Sequence, residues 1–433
     1  MLGAAREPFF LELPGAVSGI IFSVKEAALF YCKAPSVLAE GKLSVSMGAE
    51  KEKSEVLVVN IGSATFKWSA FVSMTDEEPV SEGKMDLAHI AGELNELIVL
   101  IQPACCIVRF VHGGNGFSEP VVVTKRVLWR LEQLVELAPL HNLQALNCIE
   151  LLLELKSNPK VIAVFDTALF HDLPEEAQAY GLPLSLVSKY QIRRFGFHGF
   201  AHASMLASLD EFIATYSSIP SPRRVVTLQL GSGCSLAAFL DREPIDNSMG
   251  FTPNEGLLMS TRCGDIDAGL VTWLQQQEGW GPQQVNEVLN QQSGWKGLSG
   301  ISDNFEELIA SKSIHASLAI KLFIRRIKKS IGASNALLGG LDAVVLSGGI
   351  AENAIPFCVQ LLADLEHLGI KLMPMEIVVP AEKSARYTIL SDQDSPVHCL
   401  VVPQRESKAM LASVLNSDIG EEFTKECQTG ARN

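Results

Sequence analysis

The stretch Asn60-Ile61-Gly62-Ser63-Ala64-Thr65-Phe66-Lys67 follows the unbroken apolar run Val56-Leu57-Val58-Val59 and decides how this chain folds. Four branched aliphatic residues in a row, with no polar alternation, predict a strand buried on both faces. The turn after it gathers an amide, two hydroxyls and a cation beside a glycine that lets the main chain approach an anion closely. Ser63 and Thr65 can donate hydrogen bonds and Lys67 supplies charge, which is the chemistry a polyphosphate needs. An ordinary hairpin joining residues 56–60 to residues 66–73 has the same signature, so the turn by itself leaves both readings open.

Two further segments follow the same plan. Val225 leads through Gln229-Leu230-Gly231-Ser232-Gly233-Cys234-Ser235 to Phe239, and Asp342 to Leu346 leads into Ser347-Gly348-Gly349-Ile350-Ala351-Glu352-Asn353. The first two turns share Gly62/Gly231 and Ser63/Ser232 and little else, so the pattern, more than the identity, points to a duplicated domain. A cleft between two such halves would hold a phosphate chain from both sides.

The 433 residues suffice for two domains, and 47% hydrophobic with 19% charged residues is a globular composition. A formal net charge of −14 argues against nucleic acid or an anionic membrane as the main partner. The basic cluster Arg325-Arg326 with Lys328-Lys329 falls on an amphipathic helix expected from Leu318 to Leu338, where it reads as a solvated face. Nine cysteines, with no CxxC pair and no zinc spacing, fit a reducing compartment and a cytoplasmic location. Residues 14–32 are apolar, but Lys25 and Glu26 interrupt them too early for a membrane span or a secretory core. Residues 1–54 read as an N-terminal extension outside the fold, and residues 418–433 as a polar tail.

Candidate chemistry clusters at strand ends. Arg109 stands near the end of an apolar strand, before Val111-His112-Gly113-Gly114, where a guanidinium fork can hold two oxygens of a carboxylate or phosphoryl group or simply reach solvent. Asp166 directly follows the buried run 161–165, at the end where open α/β sheets bind ligands, and also suits a helix N-cap. His198 lies in Arg193-Arg194-Phe195-Gly196-Phe197-His198-Gly199 with room to reach a ligand. Arg262, in Thr261-Arg262-Cys263-Gly264-Asp265, adds a second guanidinium. Two arginines, a histidine, an aspartate and three phosphate-type turns are the parts of phosphoryl transfer, in which charge spreads over three equatorial oxygens. A serine hydrolase fits less well, since no strand-turn-helix elbow carries a G-x-S-x-G serine. A helix with Val127, Leu128, Leu131, Leu134 and Val135 on one face is expected to stop at Ala138-Pro139-Leu140-His141-Asn142.

From Val56 to Leu415 the chain resembles the acetate kinases of the acetokinase group, within the actin-like, sugar-kinase and heat-shock ATPase superfamily. The motifs NIGSATFK, RFVHGG, ELAPLHN, FDTALFHDLP, IRRFGFHG, SMGFTPNEGL, TRCGDID, LSGISDNF and SGGIAEN occur in order. The resemblance implies an α/β protein of two similar actin-like ATPase domains, a duplicated ribonuclease H-like fold with the active site between them, and a homodimer. It implies domains at residues 55–168, completed by a last helix at about 405–417, and 169–404. By position, Arg109, Asp166, His198 and Arg262 fall on its catalytic residues, and Asn60 and Glu406 on its magnesium-linked residues, with manganese as a substitute. An acyl pocket of Arg109, Val111, Leu140, Phe197 and Pro253 suits a methyl group. Ser63, Thr65, Lys67, Gln229, Gly231, Ser232, Gly233, Asn304, Phe305, Glu306, Gly348, Gly349, Ile350 and Asn353 fall on the nucleotide and phosphate side. The implied reaction is magnesium-dependent phosphoryl transfer between ATP and acetate, by in-line attack of the carboxylate.

Departures concentrate on the nucleotide side. Gln229 and Ser232 stand in a turn the family usually writes His-Leu-Gly-Asn-Gly, Ala351 replaces a glycine, and Asn304, Phe305 and Glu306 occupy places typically held by an Asp, an apolar residue and an Arg. They keep open another donor, such as a different nucleotide or pyrophosphate, and a relative that binds without transferring phosphate. Propionate is also open as acyl substrate, because one methylene changes binding by only about 1–3 kcal/mol.

Overall fold

Unalternating apolar runs build the centres of two six-stranded sheets. The computed structural model describes residues 56–62, 65–76, 78–86, 90–216, 220–378 and 386–422; the expected N-terminal extension, Ser63 and the end of the tail lie outside the described residues. The first sheet contains β1 (Val56–Ile61), β2 (Thr65–Phe71), β3 (Ser81–Asp86), β4 (Cys105–Phe110), β5 (Val121–Val122) and β6 (Lys160–Phe165). The second contains β7 (Arg224–Leu230), β8 (Cys234–Leu240), β9 (Glu243–Asn247), β10 (Ala343–Ser347), β11 (Thr388–Ile389) and β12 (His398–Val401).

Their orders are β3-β2-β1-β4-β6-β5 and β9-β8-β7-β10-β12-β11, so adding six to every strand of the first gives the second. Strand directions repeat as well. β1, β4 and β6 are parallel and β2, β3 and β5 antiparallel to their neighbours; β7, β10 and β12 are parallel and β8, β9 and β11 antiparallel. This is the duplicated α/β architecture the resemblance implies, and topology carries it where sequence identity does not.

The two-residue period of a strand then assigns side chains to faces. Leu57, Val59 and Ile61 enter one core with Cys106, Val108 and Phe110, beneath the helices Ile90–Ile101 and Pro139–Leu153. Val56, Val58, Cys105, Ile107, Ile162 and Val164 enter the other, which is closed by Met410, Leu411 and Val414 of the last helix, Glu406–Leu415. By the same alternation Asn60, Arg109 and Asp166 belong to that second face, at the carboxyl ends of β1, β4 and β6. In the second sheet Val225, Ala237, Phe239, Ala343 and Val345 face Met205, Leu209 and Phe212 of the helix Gly199–Thr215. Thr227, Gln229, Ser235 and Ser347 share their parity. The two covering helices also pack against each other, which brings the two polar strand ends together.

The helix expected from Val127 is Lys125–Glu132 plus a short 3-10 turn, Val135–Leu137. Pro139 both ends that segment and opens the next helix at its first turn, where its missing N–H costs nothing. The basic helix begins earlier than expected, at Ile314, with Ser313 as its N-cap. Among the described residues no helix is long and apolar enough to cross a membrane.

Met410 is fully buried and sits one helical turn after Glu406. Met410→Ala is expected to lower unfolding stability by about 2–5 kcal/mol through lost burial and the cavity left behind. A shift in urea midpoint with an unchanged m-value is the check; a change under about 0.5 kcal/mol would mean this helix does not hold the sheet.

Candidate active site

Asp166 is 1% exposed and is the hub of the site. Its carboxylate accepts a bond from Arg109 Nη2 at 2.5 Å and from the main-chain N–H groups of His198 at 3.2 Å and Phe200 at 3.3 Å. Arg109 Nη1 donates to Asn60 Oδ1 at 2.9 Å, and Asn60 Nδ2 donates to Glu406. Glu406 also accepts from Gln404 Nε2 at 2.7 Å. Burial alone would raise the Asp166 pKa, but the Arg109 charge and these hydrogen bonds outweigh it and hold the carboxyl below its ordinary range. Burial likewise opposes the Arg109 charge, and Asp166 and Glu406 more than restore it.

His198 occupies the left-handed region, φ 60° and ψ 34°, directly before the helix Gly199–Thr215. Its N–H is held by Asp166, and a Cβ on Gly199 would fall 2.2 Å from the Asp166 carbonyl oxygen, so only glycine fits after it. The imidazole Nδ1 bonds Ser235 Oγ at 2.9 Å. Burial pushes its pKa down to about 4, with Asp166 opposing, so the ring is neutral near pH 7.

Arg262 completes the group from the second half. Its Nη1 donates to the Pro253 carbonyl at 3.1 Å, and among the described residues no carboxylate is within ion-pair reach of it. Burial pulls its pKa below the ordinary arginine value. A Cβ placed on Gly233 would lie 3.4 Å from His198 Nε2 and 3.5 Å from Arg262 Nη1, so both groups line the same space above that glycine. Arg109 and Arg262 both act electrostatically on His198 and on His141. The two guanidiniums therefore serve one site.

Val111 and Phe197 are buried beside this group, and Pro253 contributes its carbonyl. Of Leu140 and Thr65 only the main chain is described, as part of the helix Pro139–Leu153 and of β2. Among the residues expected on the nucleotide side, Gln229 lies level with Ser347 across β7 and β10. The Oε1 of Gln229 and the Oγ of Ser347 are buried with no hydrogen-bond partner among the described residues. Gly348 has φ 95°, and a Cβ there would meet Leu230 O at 2.5 Å. The Gly231 N–H is engaged by Gly233 O, and Ser232 O accepts from Ser260 N. Gly349, Ile350 and Asn353 form the short helix after Gly348, and exposed Lys67 lies level with Asn60 in β2.

The 304–306 segment is held by packing. Asn304 caps the helix Phe305–Ala310, Phe305 is buried against Trp295, Phe323 and Phe357, and Glu306 is exposed in the first turn. Phe305 thus shapes the wall from inside the core.

The sequence reading passed over three supports. His141 reads from sequence only as part of a helix stop, yet burial together with the Arg262 and Arg109 cations lowers its pKa to about 3. Asn142 pins the loop after β4, donating to the carbonyls of His112 and Leu134 and accepting from the His112 N–H. Arg194 and Tyr180 both bond Glu255 and so fix the loop that carries Pro253. The available signal is a polar pair, His141-Asn142, one residue past the helix-opening Pro139.

Residues 103–412 match the model of the acetokinase family. The chain belongs to the acetokinase family. It is 34% identical over 390 residues to the acetate kinase of Clostridium novyi, covering 81% of this chain and 95% of that protein. The crystal structure of Porphyromonas gingivalis acetate kinase is similar with a TM-score of 0.71 and 30% identity, covering 83% and 98% of the two chains. That of a propionate kinase from Francisella tularensis has a TM-score of 0.72 and 27% identity, covering 83% and 98%.

Burial gives this acetokinase-family chain an acid sensitivity. His112 and His202 are fully buried, and burial lowers their pKa values to about 4 and about 3 from 6.5. Below pH 6.5 the unfolded chain binds these protons and the folded chain does not, so stability is full above that pH and falls as pH drops. Each histidine contributes a slope of about 1.4 kcal/mol per pH unit until its folded pKa is reached. Urea unfolding at pH 7.5, 6 and 5 measures this, and equal stability at all three would show that both rings keep their ordinary pKa in the fold.

Proposed function

We propose that this chain is an acetate kinase, transferring the terminal phosphoryl group of ATP reversibly to acetate. The observation that carries the reading is Arg262, a half-buried guanidinium with no acid partner among the described residues, facing the same space as His198 Nε2. A cation held partly out of water without a counter-charge is a ready place for an anion. Arg109, already neutralised by Asp166, orients the acetate carboxylate, and Val111, Phe197 and Pro253 receive its methyl group. A carboxylate oxygen lone pair forms the new O–P bond while the bond to the ADP oxygen breaks and its electrons leave with ADP. Arg262 neutralises the charge that spreads over the three equatorial oxygens, and His198 Nε2–H donates a hydrogen bond to one of them.

Glu406 and Asn60 offer one carboxylate and one amide, and among the described residues no group of three acidic, His or Cys side chains gathers. This donor set fits a small hard cation that keeps its waters and binds phosphate oxygens, as magnesium does, with manganese as a substitute. Asp166 would support it through water, and the ion supplies charge neutralisation to the phosphates. The unpartnered Ser347 hydroxyl, which can donate, and the turn at Gly348 suit the donor's phosphates.

We read residues 55–168 with the last helix as one domain and 169–404 as the other, and the assembly as a homodimer. The helices Leu184–Tyr190 and Ala268–Glu278 have no buried residue, and Leu184, Leu186, Leu270 and Trp273 are exposed on them. Apolar side chains left uncovered in this way fit a subunit contact. The seven described cysteines are free thiols, in keeping with the cytoplasm. The similar Francisella tularensis propionate kinase favours propionate as a second acyl substrate.

Hydroxylamine trapping of acyl phosphate, with acetate or propionate, magnesium, and ATP, GTP or pyrophosphate as donor, tests the reading. Acetyl phosphate from ATP is expected, and Arg262→Ala should cut kcat by about 10²–10³ with the circular dichroism unchanged. No acyl phosphate from any donor, or an Arg262→Ala variant of full activity, removes the proposal.

A further inference from the structure

Behind His198 runs a buried chain of side chains that the transfer itself does not use. His198 Nδ1 lies 2.9 Å from Ser235 Oγ, Ser235 Oγ lies 2.8 Å from His202 Nε2, and His202 Nδ1 lies 2.6 Å from Thr227 Oγ1. Ser235, His202 and Thr227 are all fully buried. They come together because Thr227 and Ser235 share one face of β7 and β8, and His202 sits one helical turn after His198 on the helix that covers that face.

The direction of the chain follows from its far end. A threonine hydroxyl has one hydrogen, and the only hydrogen-bond partner of Thr227 Oγ1 among the described residues is His202 Nδ1. Were His202 to donate there, the Thr227 hydrogen would be buried with no acceptor, so Thr227 donates. His202 is neutral, because burial lowers its pKa to about 3, and with Nδ1 accepting it carries its hydrogen on Nε2. That hydrogen goes to Ser235 Oγ, and the Ser235 hydrogen is left for His198 Nδ1. Neutral His198 must then hold its own hydrogen on Nε2, the atom beside Gly233 and Arg262.

We infer that Thr227, His202 and Ser235 are positioning residues that lock neutral His198 in the tautomer whose Nε2–H points at the transferring phosphoryl group. The role of that hydrogen rests on the acetate kinase reading, but the tautomer does not. The chain lets an uncharged imidazole donate where the opposite tautomer would turn a lone pair toward an anion.

Nitrogen-15 NMR of the histidine-labelled full-length protein at pH 7.5, with His198 assigned by loss of its signals in His198→Gln, separates the two claims. The wild type should show His198 protonated on Nε2. Ser235→Ala should move His198 toward a mixture of tautomers and lower kcat about tenfold, with KM for acetate changed less than about twofold. Ser235→Thr, which keeps the hydroxyl, should restore both. If Ser235→Ala does not fold, Thr227→Val removes the terminal donor and should produce the same mixture at His198. A wild type protonated on Nδ1, or a Ser235→Ala or Thr227→Val protein with an unaltered His198 tautomer, overturns the inference whatever happens to turnover. A correct tautomer in a protein that makes no acyl phosphate upholds the relay and removes the acetate kinase reading alone.

Discussion

The Asp166 carboxylate, buried at the end of β6, is the constraint on which the site depends. It takes the guanidinium of Arg109 from the neighbouring strand and the N–H groups of His198 and Phe200 from the start of the helix Gly199–Thr215. One acid thus ties the first sheet to the helix that covers the second. A left-handed histidine is strained by about 1–3 kcal/mol and persists only where its surroundings over-determine it, as Asp166 and Ser235 do here. Breaking a buried pair of this kind by removing one partner costs about 3–5 kcal/mol, since the other charge stays behind without water.

The two arginines differ in what they lack. Arg109 meets one acid, Asp166, and one amide, Asn60, within the protein, so its charge is compensated before any ligand arrives. Among the described residues Arg262 meets only a carbonyl and a thioether. An incoming anion therefore gains most at Arg262, whereas Arg109 offers direction more than net charge. That division suits a reaction in which a carboxylate must be aligned and a phosphoryl group must be neutralised as it passes.

Legibility in the sequence followed the strength of the physical signal. The buried strands were readable because Val56-Leu57-Val58-Val59 and its counterparts leave no alternation to misread, and their ends pointed to Asn60, Arg109, Asp166 and Gln229. Their common face was not read, although the parity of residues 56, 58 and 60 contains it. The Thr227–His202–Ser235 chain was invisible because Thr227 and Ser235 look like ordinary strand residues, and only β7–β8 pairing and the helix above make them neighbours. His141 was missed because a proline before it signals a helix end as readily as a helix start, and here it signals both. Phe305 reads as a nucleoside neighbour by position, yet an aromatic cluster claims its ring.

The duplication explains why such chemistry sits where it does. Asn60 is level with Arg109 in the first sheet as Gln229 is level with Ser347 in the second, because β1 pairs β4 in the register in which β7 pairs β10. Carrying the registers one strand further makes Gln404 the counterpart of Asp166. The first half therefore holds an acid and a guanidinium at places where the second half holds only neutral hydroxyl and amide groups. Two of those neutral groups, Gln229 Oε1 and Ser347 Oγ, keep a bond unfilled among the described residues. A fold doubled in this way sets two identical strand ends across one gap, and unequal side chains at equal positions turn the gap into a directed one. Charge that fixes an acceptor stands on one side, and neutral groups, among them a Ser347 hydroxyl free to donate to a phosphate chain, stand on the other. Arg262 and His198 lie where the two meet.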